Sequence, residues 1–502
     1  MSGPRSRLPV LVLLQATISA SSLVVEIVAG RMLAPYVGMS LYTWTSVIAV
    51  VLAGFSAGHW WGGYVAERPA RIALFQAGWV IMAAAVATGA AVVLLRLVAG
   101  TVMNFMSDPV WTIGLLTFSV FFLPSLFAGV PAPVLAHLAA SRAAGGGGRA
   151  LGAMFAAGAL GAIGGTLLAG FVFIPWLGTA MTLAVITGAY LLAALTLFAL
   201  ASRRRLPVPP IIVAIIAVGL AAVSATRLSP CQIESQYYCI RIVDVSSDRD
   251  APVRRMVLDH LSHGTSTRDA PRVMLTEFTA MIDAVARGRM EGRRFSAFFI
   301  GGGTYSVPRA WADRNTGPIT VAEIDPAVTQ AAVKEFWLDP SGIEIVHEDA
   351  RRALLLRPAA RYDVIVGDAF TDIAVPHHLI TQEFFALVRS RLNEGGVFLM
   401  NVIDYPERLM ALAAIEATLR TVFPRVEIWT EAARPQPGEQ RVFVLAAGDR
   451  LTEFGAFTAS MPDPKRFAAM SEEFSGQVLK KRAGVILTDD YAPIDRLLAP
   501  RL

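Results

Sequence analysis

The chain has 502 residues, 54% of them apolar, with a formal charge of +5 and a mean hydropathy of +0.53. Ordinary soluble proteins are roughly 45–50% apolar, so the composition excludes a chain that is water-soluble throughout. The charge is uneven: up to Arg227 there are twelve Arg against Glu26, Glu67 and Asp108, and the first Lys is Lys334, so a half of charge +9 precedes one of −4. Because these arginines flank apolar runs they read as topology signals rather than a nucleic-acid stripe, and no nucleic-acid partner is expected.

From Leu8 to Ala225 the apolar runs are each long enough to cross a hydrocarbon layer of about 30 Å as a helix. About seven spans are predicted: Leu8–Ala29, Leu41–Val65, Ile72–Ala99, Val110–Leu138, Leu151–Ile174, Thr179–Leu200 and Ile211–Ala225. The first is too long for a signal peptide, lacks a small-residue cleavage site and is followed by further spans. Gly158, Gly161, Gly164 and Gly165 read as close helix packing in lipid. Glu26, His59 and His137 are the notable polar residues; Glu26 and His59 fall near predicted span ends, and the stretch from Glu26 to Gly38 reads as a structured connection.

Arg5, Arg7, Arg68, Arg71, Arg142, Arg149 and Arg203 to Arg205 fall on one face if every span crosses, and the positive-inside rule makes that face cytoplasmic. The expectation is a multi-pass protein of a bacterial-type inner membrane with its N-terminus in the cytoplasm. An odd span count puts everything after Arg227 on the other side. Cys231 and Cys239, the two cysteines of the chain, follow the last span. A disulfide between them would suit an oxidising compartment; two unpaired thiols is the alternative.

After Pro230 the apolar period changes. Short β-prone runs at Tyr238 to Val243 and Met256 to Leu258, separated by Asp248-Arg249-Asp250, predict a small hairpin domain, followed by a helix over Val273 to Ala286. An alternating pattern then begins, with strands expected at Phe298–Ile300, Ile319–Val321, Ile343–His347, Asp363–Val366, Val397–Val402 and Arg425–Trp429. The expected fold class is an α-helical membrane domain (1–228), a small β-hairpin domain (229–290) and a doubly wound α/β Rossmann-like, methyltransferase-type domain (291–502).

Phe298-Phe299-Ile300 followed by Gly301, Gly302 and Gly303, then Val321-Ala322-Glu323, is the opening of a nucleotide-binding βαβ unit. Glycines let backbone N–H groups approach a ligand, and Glu323, about 20 residues on, sits where a carboxylate accepts both hydroxyls of a ribose. The adjacent His377 and His378 have no Cys or acid at ligand spacing, so no metal is expected. Thr381 is a candidate cap for the helix that follows.

These residues resemble, in order, the spermidine synthase family, the polyamine aminopropyltransferases, in the form fused to a membrane domain. The carriers are Glu234-Ser235-Gln236-Tyr237-Tyr238, Met256-Val257-Leu258-Asp259-His260, Thr276-Glu277, Ile300-Gly301-Gly302-Gly303, Glu323-Ile324-Asp325-Pro326, Glu348-Asp349-Ala350 and Tyr362 to Ala369. The resemblance implies decarboxylated S-adenosylmethionine as co-substrate, a diamine as acceptor and a homodimer. It implies Asp368 as general base, Tyr238 orienting the amine, Gly301, Gly302, Gly303 and Glu323 on the nucleoside with Asp349 at the adenine amino group, and amine-side places for His263, Glu277 and Asp372. The acidic aromatic turn with Asp490 and Tyr491 closes the amine pocket or anchors the tail.

The chain departs from the family on the amine side. Thr304-Tyr305-Ser306 stands where the family has Asp-Gly-Gly, and a neutral Thr cannot pair with a cation as a carboxylate does. The second acid after Asp368 is displaced by one residue, His263 replaces a glutamine and Thr276 a histidine. Two other functions therefore stand beside aminopropyl transfer: a methyltransferase using S-adenosylmethionine, and a periplasmic enzyme or polyamine-binding transporter or sensor that has abandoned the sulfonium donor.

Overall fold

The computed structural model describes residues 8–498 except 107, 142, 144–145, 202–207, 228–229, 371–373, 461–462, 472, 474–478, 480–481 and 483–484. Arg5, Arg7, Arg142, the 203–205 arginines and Asp372 lie outside the described residues. The chain divides into two compact units, Met1–Cys239 and Ile240–Leu502.

The first unit is helical: α1 Leu8–Val37, α2 Leu41–Ala66, α3 Ala70–Phe105, α4 Pro109–Gly129, α5 Pro131–Ser141, α6 Gly147–Leu168, α7 Ile174–Ala201 and α8 Val208–Arg227. Among the described residues, six stretches are long and apolar enough to cross a membrane, one of them the 55 residues Gly147–Ala201. Inside that stretch a π-helical turn, Ala169–Phe173, joins α6 to α7, and Gly178 leaves helical geometry at φ 73° and ψ 175°. The helices are apolar on both inner and outer faces: Leu33 and Ile81 are fully buried, whereas Leu13, Phe155 and Trp176 are outward. A helix apolar all round belongs in a protein interior or in lipid, and these outer faces are consistent with a multi-pass membrane protein.

Close packing rests on glycine. A Cβ on Gly161 or Gly165 of α6 would meet the backbone oxygens of Ala16 or Ala20 on α1 at 2.2 Å, and one on Gly58 of α2 would meet Leu126 O at 2.1 Å. Gly164 faces open space, so its expected packing role is absent. The expected span end at Ala29 is also corrected. α1 continues to Val37, so Glu26 lies inside the helix and Arg31 belongs to it rather than to a connection.

Arg31 donates to Tyr237 O and, at 3.1 Å, to Ser235 O. Glu234 accepts from the Thr179 backbone N–H at 3.0 Å and bonds its hydroxyl at 3.2 Å, so the helix restarting after Gly178 is capped by a carboxylate 55 residues away. Cys231 and Cys239 form a disulfide, which removes the two-thiol alternative.

The second unit begins with an antiparallel meander, β2 (Cys239–Asp244), β3 (Val253–Leu258) and β4 (Leu261–Thr267), after the two-residue strand β1, Ile233–Glu234, of the first unit. The helix expected from Val273 starts later, as α9 Glu277–Arg289. Nine strands then form one sheet: β5 Ala297–Ile300, β6 Ile319–Ala322, β7 Glu344–Val346, β8 Tyr362–Gly367, β9 Leu392–Asp404, β10 Arg425–Glu431, β11 Arg441–Gly448, β12 Ala456–Ala459 and β13 Lys465–Ala469. Their order is β12-β13-β10-β11-β9-β8-β5-β6-β7. The run from β9 to β7 is parallel, and β11 joins β9 antiparallel.

The connecting helices include α10 Ser306–Asp313, α11 Pro326–Glu335, α12 Ala350–Leu355, α13 Gln382–Ser390 and α14 Met410–Val422. The parallel strands read as continuous apolar runs because both faces are covered: Phe298 and Ile365 sit in one core, Phe299 and Val364 in another. The chain winds from β5 outward through β6 and β7, then returns to β8 on the other side of β5. The carboxyl ends of β5 and β8 thus flank a topological switch point, where open α/β sheets bind ligands.

Candidate functional site

Strand register lays out the site. Ile300 pairs with Ala322 and with Gly367, Gly367 with Met400, and Ala322 with Val346. The residues one step beyond these partners form a row along the carboxyl edge: His347, Glu323, Gly301, Asp368 and Asn401. Backbone bonds hold the row, with Gly301 N donating to Ala322 O at 2.9 Å, Glu323 N to Val346 O at 3.0 Å and Asp368 N to Ile300 O at 2.9 Å.

Gly301 has φ 91°, and a Cβ there would lie 2.5 Å from Asp368 O, so a side chain is excluded by both conformation and space. Gly302 N donates to Glu323 Oε2 at 2.8 Å, and Asp325 N to Glu323 Oε1 at 2.9 Å. Burial pushes the Glu323 carboxyl up to about 7, against these backbone bonds, which favour its charged form. Asp325 caps α11 through Ala327 N at 2.9 Å, with Pro326 at the first helical position.

Burial likewise pushes Asp368 up to about 7, opposed by Asn401 Nδ2, which donates to Asp368 Oδ1 at 2.8 Å. The carboxylate is therefore held by a side chain on the neighbouring strand rather than spent on a helix cap. Two carboxyls on one row that titrate near neutrality have the character of a proton-handling site. Asn401 carries no motif of its own; only the pairing of β8 with β9 reveals it.

The meander contributes to the same end of the sheet. Gly303 approaches His263 O, and Gly264 approaches Thr304, so closely that a Cβ on either would collide at 2.7 Å and 2.3 Å. Thr304 is buried, its hydroxyl 2.6 Å from Ser306 Oγ, which lies 2.9 Å from Ser266 Oγ on β4. Tyr305 is buried at φ 55°, with its hydroxyl 2.7 Å from Thr329 Oγ1, itself 3.1 Å from His347 Nε2. The Thr304-Tyr305-Ser306 run is thus committed to internal bonds. His263 meets Phe370 edge-on, and burial with neighbouring His260 lowers its pKa to about 4, so it is neutral.

Asp349 caps α12 through Arg352 N at 2.9 Å and accepts from His378 Nε2 at 2.7 Å; the His378 bond is the main cause that holds its carboxyl low. Glu277 forms an ion pair with Lys465 at 2.5 Å. Asp490 and Tyr491 are exposed, and Tyr491 accepts from Arg496 at 2.8 Å. Their neighbour Asp489, in the same acidic turn, binds Arg351 with both oxygens at 2.7 and 2.6 Å and accepts from Thr381 at 2.7 Å. Thr381 caps α13 as expected, accepting from Phe384 N. Tyr238 belongs to the first unit, half-buried, its N–H bonded to Ser235 Oγ at 2.9 Å.

No protein-family profile matches the chain. It is 30% identical over 195 residues to a probable polyamine aminopropyl transferase of Bifidobacterium longum (strain NCC 2705), covering 36% of this chain and 43% of that one. It is 25% identical over 381 residues to polyamine aminopropyltransferase 2 of Streptomyces coelicolor (strain ATCC BAA-471 / A3(2) / M145), covering 70% and 63%. It is also 33% identical over 147 residues to an N-terminal histidine N-methyltransferase of Emericella nidulans, covering 28% and 26%. The chain thus spans less than half the length of the first and third of these relatives. A solved structure of a probable spermidine synthase from Corynebacterium glutamicum ATCC 13032 aligns at 19% identity and TM-score 0.44, over 51% of this chain and 95% of that one. The chain is thus similar, over part of their length, to several polyamine aminopropyltransferases, and its N-terminal half carries helices apolar and long enough to cross a membrane.

Proposed function

We propose that the chain is a membrane-anchored aminopropyltransferase that moves the aminopropyl group of decarboxylated S-adenosylmethionine to a diamine. The observation that carries this reading is Asp368, a carboxyl at the switch point that is raised to about 7 and held by Asn401. The acceptor arrives as an ammonium and must lose a proton before it attacks. Asp368 takes that proton, and the freed lone pair bonds to the carbon beside the sulfonium. The carbon–sulfur bond breaks with its electron pair going to sulfur, which leaves as a neutral thioether.

In this scheme Glu323 holds the ribose, Gly301, Gly302 and Gly303 bring backbone against the nucleoside, and Asp349 faces the adenine amino group. His263 serves the amine, as the resemblance implies for Asp372. Glu277, paired with Lys465, acts there only if that ion pair opens. The test is turnover by the purified full chain with this donor and common diamines: product is expected, and Asp368→Asn is expected to lose it while keeping nucleoside binding. No product from any diamine overturns the reading. Donor calorimetry addresses the methyltransferase alternative, which needs room at Thr304 for a carboxylate where the Thr304 hydroxyl is bonded to Ser306.

A second reading draws on the Cys231–Cys239 disulfide. Taking α4 with α5 as one crossing and dividing the long stretch at Gly178 gives seven crossings. In the first unit the C-terminal part of α1 and the start of α7 both bond the segment after α8, through Arg31 and Thr179. Those ends therefore share a face, while Arg68, Arg71 and Arg149 sit at opposite helix ends. The positive-inside rule then places the disulfide outside, where no sulfonium donor is expected, and favours a periplasmic enzyme or polyamine-binding transporter or sensor. A membrane-impermeant thiol reagent applied to intact cells separates the two. Labelling only after external reductant supports the periplasmic reading; shielded thiols leave the aminopropyltransferase reading in place.

A further inference from the structure

Asn401 follows Met400 in β9, the register partner of Gly367, so it stands beside Asp368 at the carboxyl edge. Its side chain is buried, at 2% exposure. Its Nδ2 is spent on Asp368, while its Oδ1 is buried with no hydrogen-bond partner among the described residues. The orientation follows from charge. Turning the amide over would set its oxygen against a carboxylate oxygen and orphan the NH2 group instead, which is the worse arrangement while Asp368 is ionised. A buried amide oxygen without a donor is a costly feature that native proteins usually correct, and the missing donor here is what the proposed substrate brings.

We infer that Asn401 is a positioning residue for group transfer to an amine: its Nδ2 aims the Asp368 carboxyl, and its Oδ1 takes one N–H of the incoming amine. This rests on the amine-transfer reading above. The acceptor ammonium carries three N–H donors. One is transferred to Asp368, which frees a lone pair along the broken N–H bond. Another is held by Asn401 Oδ1, the anchor about which the neutral amine turns to present that lone pair to the donor carbon. After attack the nitrogen carries two N–H groups and the product's positive charge, and the bond to Oδ1 remains. An acceptor whose nitrogen is tertiary satisfies Asp368 but leaves Oδ1 empty, so the site selects against tertiary amines.

Titratable groups on the strands around Asp368 include Glu323 at the end of β6, His347 after β7, His263 on β4, Asp404 on β9 and Asp363 on β8, which is turned to Ser296. Asp404 accepts from the N–H groups of Tyr405 at 2.7 Å and Leu412 at 2.9 Å, so its oxygens are turned to the start of α14. Glu323 is turned to Gly302 and Asp325. Burial and the Asn401 bond are the two influences that act on the Asp368 carboxyl.

The experiment uses the full-length protein in detergent. The first readout is the infrared band of the protonated Asp368 carboxyl, identified by its loss in Asp368→Asn, followed against pH in wild type and Asn401→Leu. A hydrogen bond to the charged form is expected to shift a carboxyl by roughly one to two pH units, so the midpoint in Asn401→Leu rises by that much. The second is the diamine KM, expected to rise by about tenfold or more in Asn401→Leu, with Asn401→Gln recovering part of the loss and donor affinity unchanged in both. Should Asn401→Leu fail to fold, Asn401→Ser carries the same comparison. An unmoved infrared midpoint overturns the assignment without any turnover being needed. A shifted midpoint in a protein that transfers nothing to diamines keeps Asn401 as the holder of Asp368 and removes the amine half together with the parent reading.

Discussion

Gly302 N lies 2.8 Å from Glu323 Oε2, so the carboxylate that ends β6 is fastened to the turn that ends β5. The same carboxylate also accepts from Asp325 N, and a nucleoside pocket at this place is tied together by its own proposed ribose-binding acid. Glu323→Gln preserves one acceptor for the turn but is a weaker partner for two hydroxyls. Nucleoside affinity is expected to fall about tenfold or more, with the fold kept, as read by calorimetry and thermal melting. Glu323→Ala orphans two buried N–H groups and should also destabilise the unit by about 1–3 kcal/mol.

Asp368 and Glu323 both have folded pKa values raised to about 7, above their ordinary 3.8 and 4.5. Their contribution to stability is therefore fully present below the ordinary carboxylate range and is lost as pH rises through about 7. The ligand-free protein should melt progressively lower from pH 4 to roughly pH 8, and Asp368→Asn should flatten part of that slope. The same titration sets the activity profile, because only ionised Asp368 accepts a proton. The rate should fall on the acid side of about 7, and donor binding shares only the part of that limb that comes from Glu323.

Asp489 has the opposite sign. Its bonds to Arg351 and Thr381 hold its carboxyl down to about 2, so its stabilisation is present above the ordinary range and lost as pH falls through about 2. Asp489→Ala frees the last turn of the chain from α12 and α13. Since the carboxylate is 41% exposed, solvent screening limits the loss to about 0.5–1 kcal/mol, measured by thermal melting at neutral pH. Increased proteolysis after Leu487 is expected alongside.

Glu234 and Gly178 form a joint at the start of the last part of α7. A Cβ at Gly178 would sit 2.8 Å from Glu234 Oε2, and its φ of 73° is a glycine conformation. Gly178→Val should lower the melting temperature in detergent clearly, whereas Glu234→Gln should lower it only by the charge part of a cap, about 0.5–1 kcal/mol. Equal effects of the two substitutions would mean that the carboxylate, not the backbone geometry, holds the break.

The apolar runs, the parallel strands β5 to β9 and the glycine turn were legible because each is a local pattern: run length, continuous burial on two faces, and residues that only a tight turn requires. Glu323 and Asp368 were legible for the same reason, as acids directly after such strands. Less legible were β11, β12 and β13, which join the sheet by antiparallel pairing, and α1, whose polar Glu26 and Arg31 hid eight further helical residues.

The sequence alone determined that a lipid-compatible half precedes a nucleotide-binding type of sheet, since hydropathy and period are properties of short windows. Only the tertiary structure decided that Asn401 stands against Asp368, that the Ser306 hydroxyl is committed to Ser266, and that His378 lies on Asp349. These are meetings between residues brought together by strand register and chain return. A side chain's partner across a sheet depends on how the whole unit closes, which no window of the sequence contains.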